Sequence, residues 1–213
     1  MKAVLIFLVF FLFGIALVLS YRYWNQQMPI FTNPKPAITT KFSLEKAPRE
    51  SLQGNIATMS GTVAWLSRTA AKPEQLKKPR LIQQGEELST GANGNAVIFI
   101  KNDTLVQVSP NTHISIIQLL PQNFVFDQDK GMVRYQNTWQ VPVSVKSYDV
   151  ITMITKGIVT IAVDQKKKTV SVVVEKGTVR EGFEDSQNNS TVVTVEAGQT
   201  FLFDETTKIG TLQ

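Results

Sequence analysis

Between Gly157 and Phe203 the apolar residues fall on every second position: Val159/Ile161/Val163, Val170/Val172/Val174, Val193/Val195 and Phe201/Phe203. A period of two puts alternate side chains on opposite faces, so one face is buried and the other wetter, as in an antiparallel sheet. Short strands with glycines spaced between them point to an all-β sandwich. Asp164–Lys168 reads as a charged loop between two strands, and Lys176-Gly177 as a two-residue turn.

The same alternation runs back through the chain. Thr58–Ser67, Ala96–Ile100, Thr104–Val108, Thr112–Leu120, Phe124–Phe126, Met132–Tyr135, Val141–Lys146 and Val150–Ile154 all read as strands. Asn102-Asp103 suits a tight hairpin, because both residues tolerate positive φ. Pro73-Glu74-Gln75-Leu76 could start one helical turn, with Pro73 at the first helical position. Gly85, Gly91, Gly131, Gly157, Gly177 and Gly198 are expected at turns or strand starts.

The N-terminus is of another kind. Ala3–Leu19 carries no charge, and a helix of that length spans about 26 Å at ~1.5 Å per residue. Tyr21, Tyr23 and Trp24 follow, as an aromatic flank at headgroup level would. Residues 1–24 therefore read as a transmembrane signal anchor, with cleavage after about residue 20 as the competing reading. Residues 25–55 form a linker broken by Pro29, Pro34, Pro36 and Pro48, and residues 56–213 form the β domain, outside the cytoplasm.

Charge follows the same division. Residues 1–60 hold six basic and two acidic side chains, against sixteen and fifteen in the rest. The basic excess thus lies beside the apolar segment, not as a patch on the domain, which argues against nucleic acid as a partner. The absence of Cys excludes disulfides, cysteine metal sites and thiol nucleophiles.

The ordered glycine phrases resemble the FecR-type domain, named for the regulator of ferric citrate uptake. Gly61-Thr62-Val63 resembles its opening strand, and Gly85-Glu86-Glu87-Leu88-Ser89-Thr90-Gly91 its "G-x-x-L-x-T-G" phrase. Ala96–Phe99 with Thr104–Val108 resembles the next hairpin. Gly131, Gly157, Glu175–Val179 and Ala197-Gly198-Gln199 stand where the family has its later phrases. The resemblance covers about residues 56–205. It implies a jelly-roll-like antiparallel β-sandwich preceded by one N-terminal transmembrane helix, and sensing, binding or scaffolding at the cell envelope. Two departures stand out: the family's Gly-Thr pair reads Gly157-Ile158, and only Met1 and Lys2 precede the apolar run, so no anti-sigma function is carried over.

Candidate chemistry is sparse. His113 is the only histidine, too few for the converging ligands of a cupin metal site or, without a nucleophile elbow, for a serine relay. Asp127 and Asp129 before Gly131 have calcium-loop spacing, although a hairpin turn explains them as well. A cryptic hydrolase would have to use Asp127, Asp129 or Glu86. Trp139 and Tyr135, among amides, could stack on a sugar or dock a protein. Lys166, Lys167 and Lys168, and a second basic loop with Lys72, Lys77, Lys78 and Arg80, could meet an acidic polymer or lipid, or stay solvated. The expectation is a non-catalytic domain without cofactor. It would be held at the membrane by Ala3–Leu19 and would bind an envelope protein or, alternatively, a carbohydrate or cell-wall polymer.

Overall fold

The computed structural model describes residues 15–17, 19–21, 23, 46–101 and 104–213. The chain divides into two compact units, Met1–Phe42 and Ser43–Gln213. In the first unit the described residues are helical. The Ala3–Leu19 segment lies mostly outside the described residues, and among those that are described no helix is long and apolar enough to cross a membrane. Asn102-Asp103 also lies outside them.

The second unit is all strand. In chain order these are β1 (Gln53–Ser60), β2 (Val63–Leu66), β3 (Glu74–Gln75), β4 (Leu81–Gln83), β5 (Glu87–Thr90), β6 (Asn95–Ile100), β7 (Thr104–Val108), β8 (His113–Leu120), β9 (Asn123–Asn137), β10 (Val143–Ser147), β11 (Val150–Asp164), β12 (Thr169–Glu184), β13 (Ser190–Glu196), β14 (Thr200–Asp204) and β15 (Ile209–Leu212). The all-β expectation holds.

β9, β11 and β12 are far longer than typical strands and carry the architecture. Each pairs with different neighbours along its two halves. One layer runs β3, β2, β5, β8, the first half of β9, β10, the first half of β11, the second half of β12, then β13. The other runs β4, β1, β6, β7, the second half of β9, the second half of β11, the first half of β12, β14, then β15. The β9–β10 pair is parallel, which makes the hydrogen-bonded sheet mixed.

Side chains from the two layers meet in one core. Phe126 lies 5.7 Å from Tyr135, and Phe183 lies 5.5 Å from Phe201 and 5.4 Å from Phe203, centroid to centroid. Such tilted ring pairs add about 0.5–1.5 kcal/mol each to their burial. In-phase Val, Ile and Phe along every long strand supply the rest of the core.

Several local expectations are corrected. Gly131, Gly157 and Gly177 lie inside β9, β11 and β12, not at strand starts or turns. The strands bend there and continue into the other layer. Thr155 and Glu175 are skipped in the β11–β12 register, so each is a bulge residue that sharpens the bend. Lys176-Gly177 and Asp127–Gly131 are thus strand, not turn, whereas Gly85, Gly91 and Gly198 do lie between strands. Thr58–Ser67 is split at Gly61 into β1 and β2. Pro73–Leu76 forms no helical turn: Gln75 and Glu74 pair with Ala64 and Trp65. A single helical turn is too short to be stable alone, and the edge of β2 offers its backbone better partners.

Candidate functional site

Where β11 and β12 bend between layers, the end of β9 joins them and a corner opens. The row Asn137–Gly157–Gly177 crosses the three strands there. Gly157 and Gly177 let the backbones close in. A Cβ on Gly157 would stand 2.3 Å from the Lys176 carbonyl oxygen, and one on Gly177 2.3 Å from that of Lys156. Beside this pair lies a cavity of about 490 Å³, lined by Gln136, Thr138, Thr155, Lys156, Ile158, Lys176 and Thr178 around the two glycines and Asn137. That volume is in the ~300–1,000 Å³ range of small-molecule sites.

Asn137 ties the corner together. It is fully buried. Its Nδ2 donates to the carbonyls of Val141 (2.8 Å), Ile154 (3.1 Å) and Thr155 (2.9 Å), and its Oδ1 accepts from Thr104 Oγ1 (3.0 Å) and the Trp139 backbone N–H (3.3 Å). Replacing it with Ala removes all of these bonds at a buried position. Asn137→Ala is expected to cost about 3 kcal/mol of unfolding free energy in urea titrations. A loss below about 1 kcal/mol would show that the amide is not what holds the corner.

The electrostatics of the cavity are one-sided. Lys156 and Lys176 line it and, among the described residues, no acidic residue does. Among the described residues neither ammonium has a carboxylate within salt-bridge distance, whereas neighbouring Arg134 is fully engaged, its Nη2 2.7 Å from Glu175 Oε2 and its Nε 2.9 Å from Oε1. That pair holds the Glu175 carboxyl below its ordinary pKa.

The residues singled out from sequence are dispersed. Tyr135 faces the core and is fully buried, donating to Gln128 Oε1 at 3.2 Å, so it offers no binding surface. Burial pushes its phenol pKa up. Trp139 is half-buried: it packs on Phe124 (5.8 Å), and Lys101 Nζ sits 4.3 Å over its ring. Its backbone N–H bonds Asn137, but its side chain does not line the cavity. Lys166, Lys167 and Lys168 form the exposed tip of the β11–β12 hairpin, where Asp164 Oδ1 accepts the N–H groups of Lys166 (2.9 Å) and Lys167 (3.1 Å). Lys168, just before β12, and Lys176 within it are eight residues apart, about 26 Å at ~3.3 Å per residue, so the tip is remote from the cavity.

The carboxylates have local tasks. Asp127 and Asp129 lie on β9 rather than in a loop. Asp127 reaches Lys146 (3.7 Å) and Asp129 reaches His113 Nδ1 (2.7 Å). Burial raises the Asp127 pKa, with Lys146 opposing. His113 Nε2 lies 3.1 Å from Glu87, so both ring nitrogens face carboxylates and neither faces a serine. Glu86 is buried and accepts from Trp65 Nε1 (3.0 Å) and the Gln83 backbone N–H (2.9 Å). Among the described residues no group of three or more His, Asp or Glu side chains is arranged to hold a metal ion.

The larger buried polar residues Gln128, Asn137 and Glu181 were missed by sequence reading. The signal was present. Phe124-x-Phe126-x-Gln128, Val133-x-Tyr135-x-Asn137 and Val179-x-Glu181-x-Phe183 each continue an inward-facing phase onto a polar residue.

No protein-family model matches the sequence, and no curated protein matches it. Two crystal structures, at 2.50 and 1.65 Å, of a protein assigned as an anti-sigma factor from Parabacteroides distasonis resemble the fold. In each case the TM-score is 0.52 at 12% identity, over 60% of this chain and 58% of that one. At that identity the likeness is one of fold.

Proposed function

We propose that this chain is a non-catalytic binding domain of the FecR-like, jelly-roll type that works in sensing or scaffolding at the cell envelope, tethered by its N-terminal apolar segment. The observation that carries the reading is the corner cavity. Its groups are ammoniums, hydroxyls and amides, which hold a ligand but are poorly suited to moving protons at neutral pH. Asp127, Asp129, Glu86, Glu87 and His113, which could do so, are held elsewhere in local contacts. The fold likeness to an assigned anti-sigma factor, a regulatory protein, supports the sensing role. The uncharged Ala3–Leu19 stretch supports the tether.

The test is in-cell crosslinking of the tagged full-length chain, with capture and mass spectrometry, beside a variant lacking residues 1–24. Envelope proteins enriched with the full chain and lost with the deletion are expected. Equal recovery with both forms, or a deletion variant that stays in the membrane fraction, would refute the tethered reading. A second reading, a module for carbohydrate or cell-wall polymer, is favoured by the same cavity rather than by Trp139 or the hairpin tip.

A further inference from the structure

We infer that the corner cavity is a binding site for an acidic sugar, a hydroxylated ring bearing a carboxylate. The inference rests on the reading of this corner as a binding surface and names its ligand class.

Charge comes first. Lys156 and Lys176 both line this one cavity, and among the described residues no acidic side chain does. The nearest carboxylate along the chain, Glu175, is taken by Arg134 and by Thr160 Oγ1 at 2.9 Å. The cavity therefore selects an anion. Position favours a bound group as well: the cavity lies between strands braced by the Asn137 network, so a ligand there meets a pre-formed wall and loses little affinity to ordering it.

The remaining lining narrows the class. Thr155, Thr178 and Gln136 present hydroxyl and amide groups that both donate and accept, as a ring with several hydroxyls requires. Ile158 gives an apolar patch where the C–H face of a ring can lie. A phosphate site is ordinarily built differently, from arginine forks, helix N-termini or nests of backbone N–H groups. Among the described residues none of these lines the cavity, where lysine point charges stand among hydroxyls instead.

The test is isothermal titration calorimetry on the purified full-length chain with three probes: digalacturonate, its neutral counterpart digalactose, and inorganic phosphate. Digalacturonate is expected to bind, at least ~10-fold more tightly than either of the others, and more weakly as salt rises. Lys156→Ala and Lys176→Ala should each weaken it ~10-fold, the Lys→Arg variants should keep most of the affinity, and Lys166→Ala at the remote tip should change nothing. Unfolding midpoints equal to the parent's would show that the variants are folded. No heat with digalacturonate up to ~10 mM, phosphate binding as tightly as the sugar, or undiminished affinity in Lys156→Ala/Lys176→Ala would each overturn the proposal. If the sugar fails while crosslinking still captures envelope proteins, the ligand class falls and the binding-domain reading stands; if both fail, both fall.

Discussion

Gly177→Ala is expected to lower the stability of the β domain by more than about 3 kcal/mol, and its unfolding midpoint by about 10 °C. Two terms add. Gly177 has φ +85°, a region that costs an L-residue about 1–2 kcal/mol. The new Cβ would also stand 2.3 Å from the Lys156 carbonyl oxygen and 3.0 Å from the Gly157 Cα. Both obstacles are backbone, so β11 and β12 would have to part where they change layers. Gly198 supplies the control. It has φ +88°, but a Cβ there meets nothing within 4 Å. Gly198→Ala should therefore show only the conformational cost, about 1–2 kcal/mol. Equal losses at the two glycines, measured by thermal and urea unfolding, would mean that the close approach of the strands contributes nothing.

Raising the pH from about 4.5 to about 8 is expected to destabilise the domain chiefly through one buried carboxyl, that of Glu181. Glu181 is fully buried on the inward face of β12. Its Oε2 accepts from Thr152 Oγ1 at 2.7 Å, and its Oε1 has no hydrogen-bond partner. Burial pushes its pKa from 4.5 up to about 8, with the Thr152 hydroxyl opposing. The sign follows from proton counting. Between those values the folded chain keeps the proton and the unfolded chain has lost it, so stability falls as pH rises. The contribution is complete below about pH 4.5 and is lost by about pH 8. One proton gives a slope of about 1.4 kcal/mol per pH unit, for a total on the order of 3–5 kcal/mol. Glu181→Gln keeps an acceptor for Thr152 and cannot ionise. It should flatten this slope and be the more stable form at pH 8. Parallel pH profiles for the two proteins in urea unfolding would rule Glu181 out as the source.

How much of this was legible depended on the distance over which the deciding interaction acts. Alternation along single strands depends on the nearest neighbours. Val159/Ile161/Val163 and Val170/Val172/Val174 therefore marked the core face correctly, as did Phe201 and Phe203. Strand continuity is another matter. Glycine in a strand usually signals a break, yet Gly131, Gly157 and Gly177 are passed without one because their neighbours across the sheet hold both halves. Tyr135 shows the limit for sites. Its composition suits a binding surface, but its phase with Val133 places it in the core, and Gln128 from the other layer supplies its partner.

The sequence by itself determined the all-β class and the inward face of the apolar runs in β11, β12 and β14, because a period of two is a property of the chain and needs no partner. It also marked the uncharged N-terminal stretch. Only the tertiary structure decided where the candidate site lies. Lys156 and Lys176 are twenty residues apart and separated by a hairpin tip with three more lysines. Nothing local distinguishes them from Lys166, Lys167 and Lys168. They share a cavity because bulges at Thr155 and Glu175 and the paired glycines bend two strands at the same height, and that register exists only once the strands have paired.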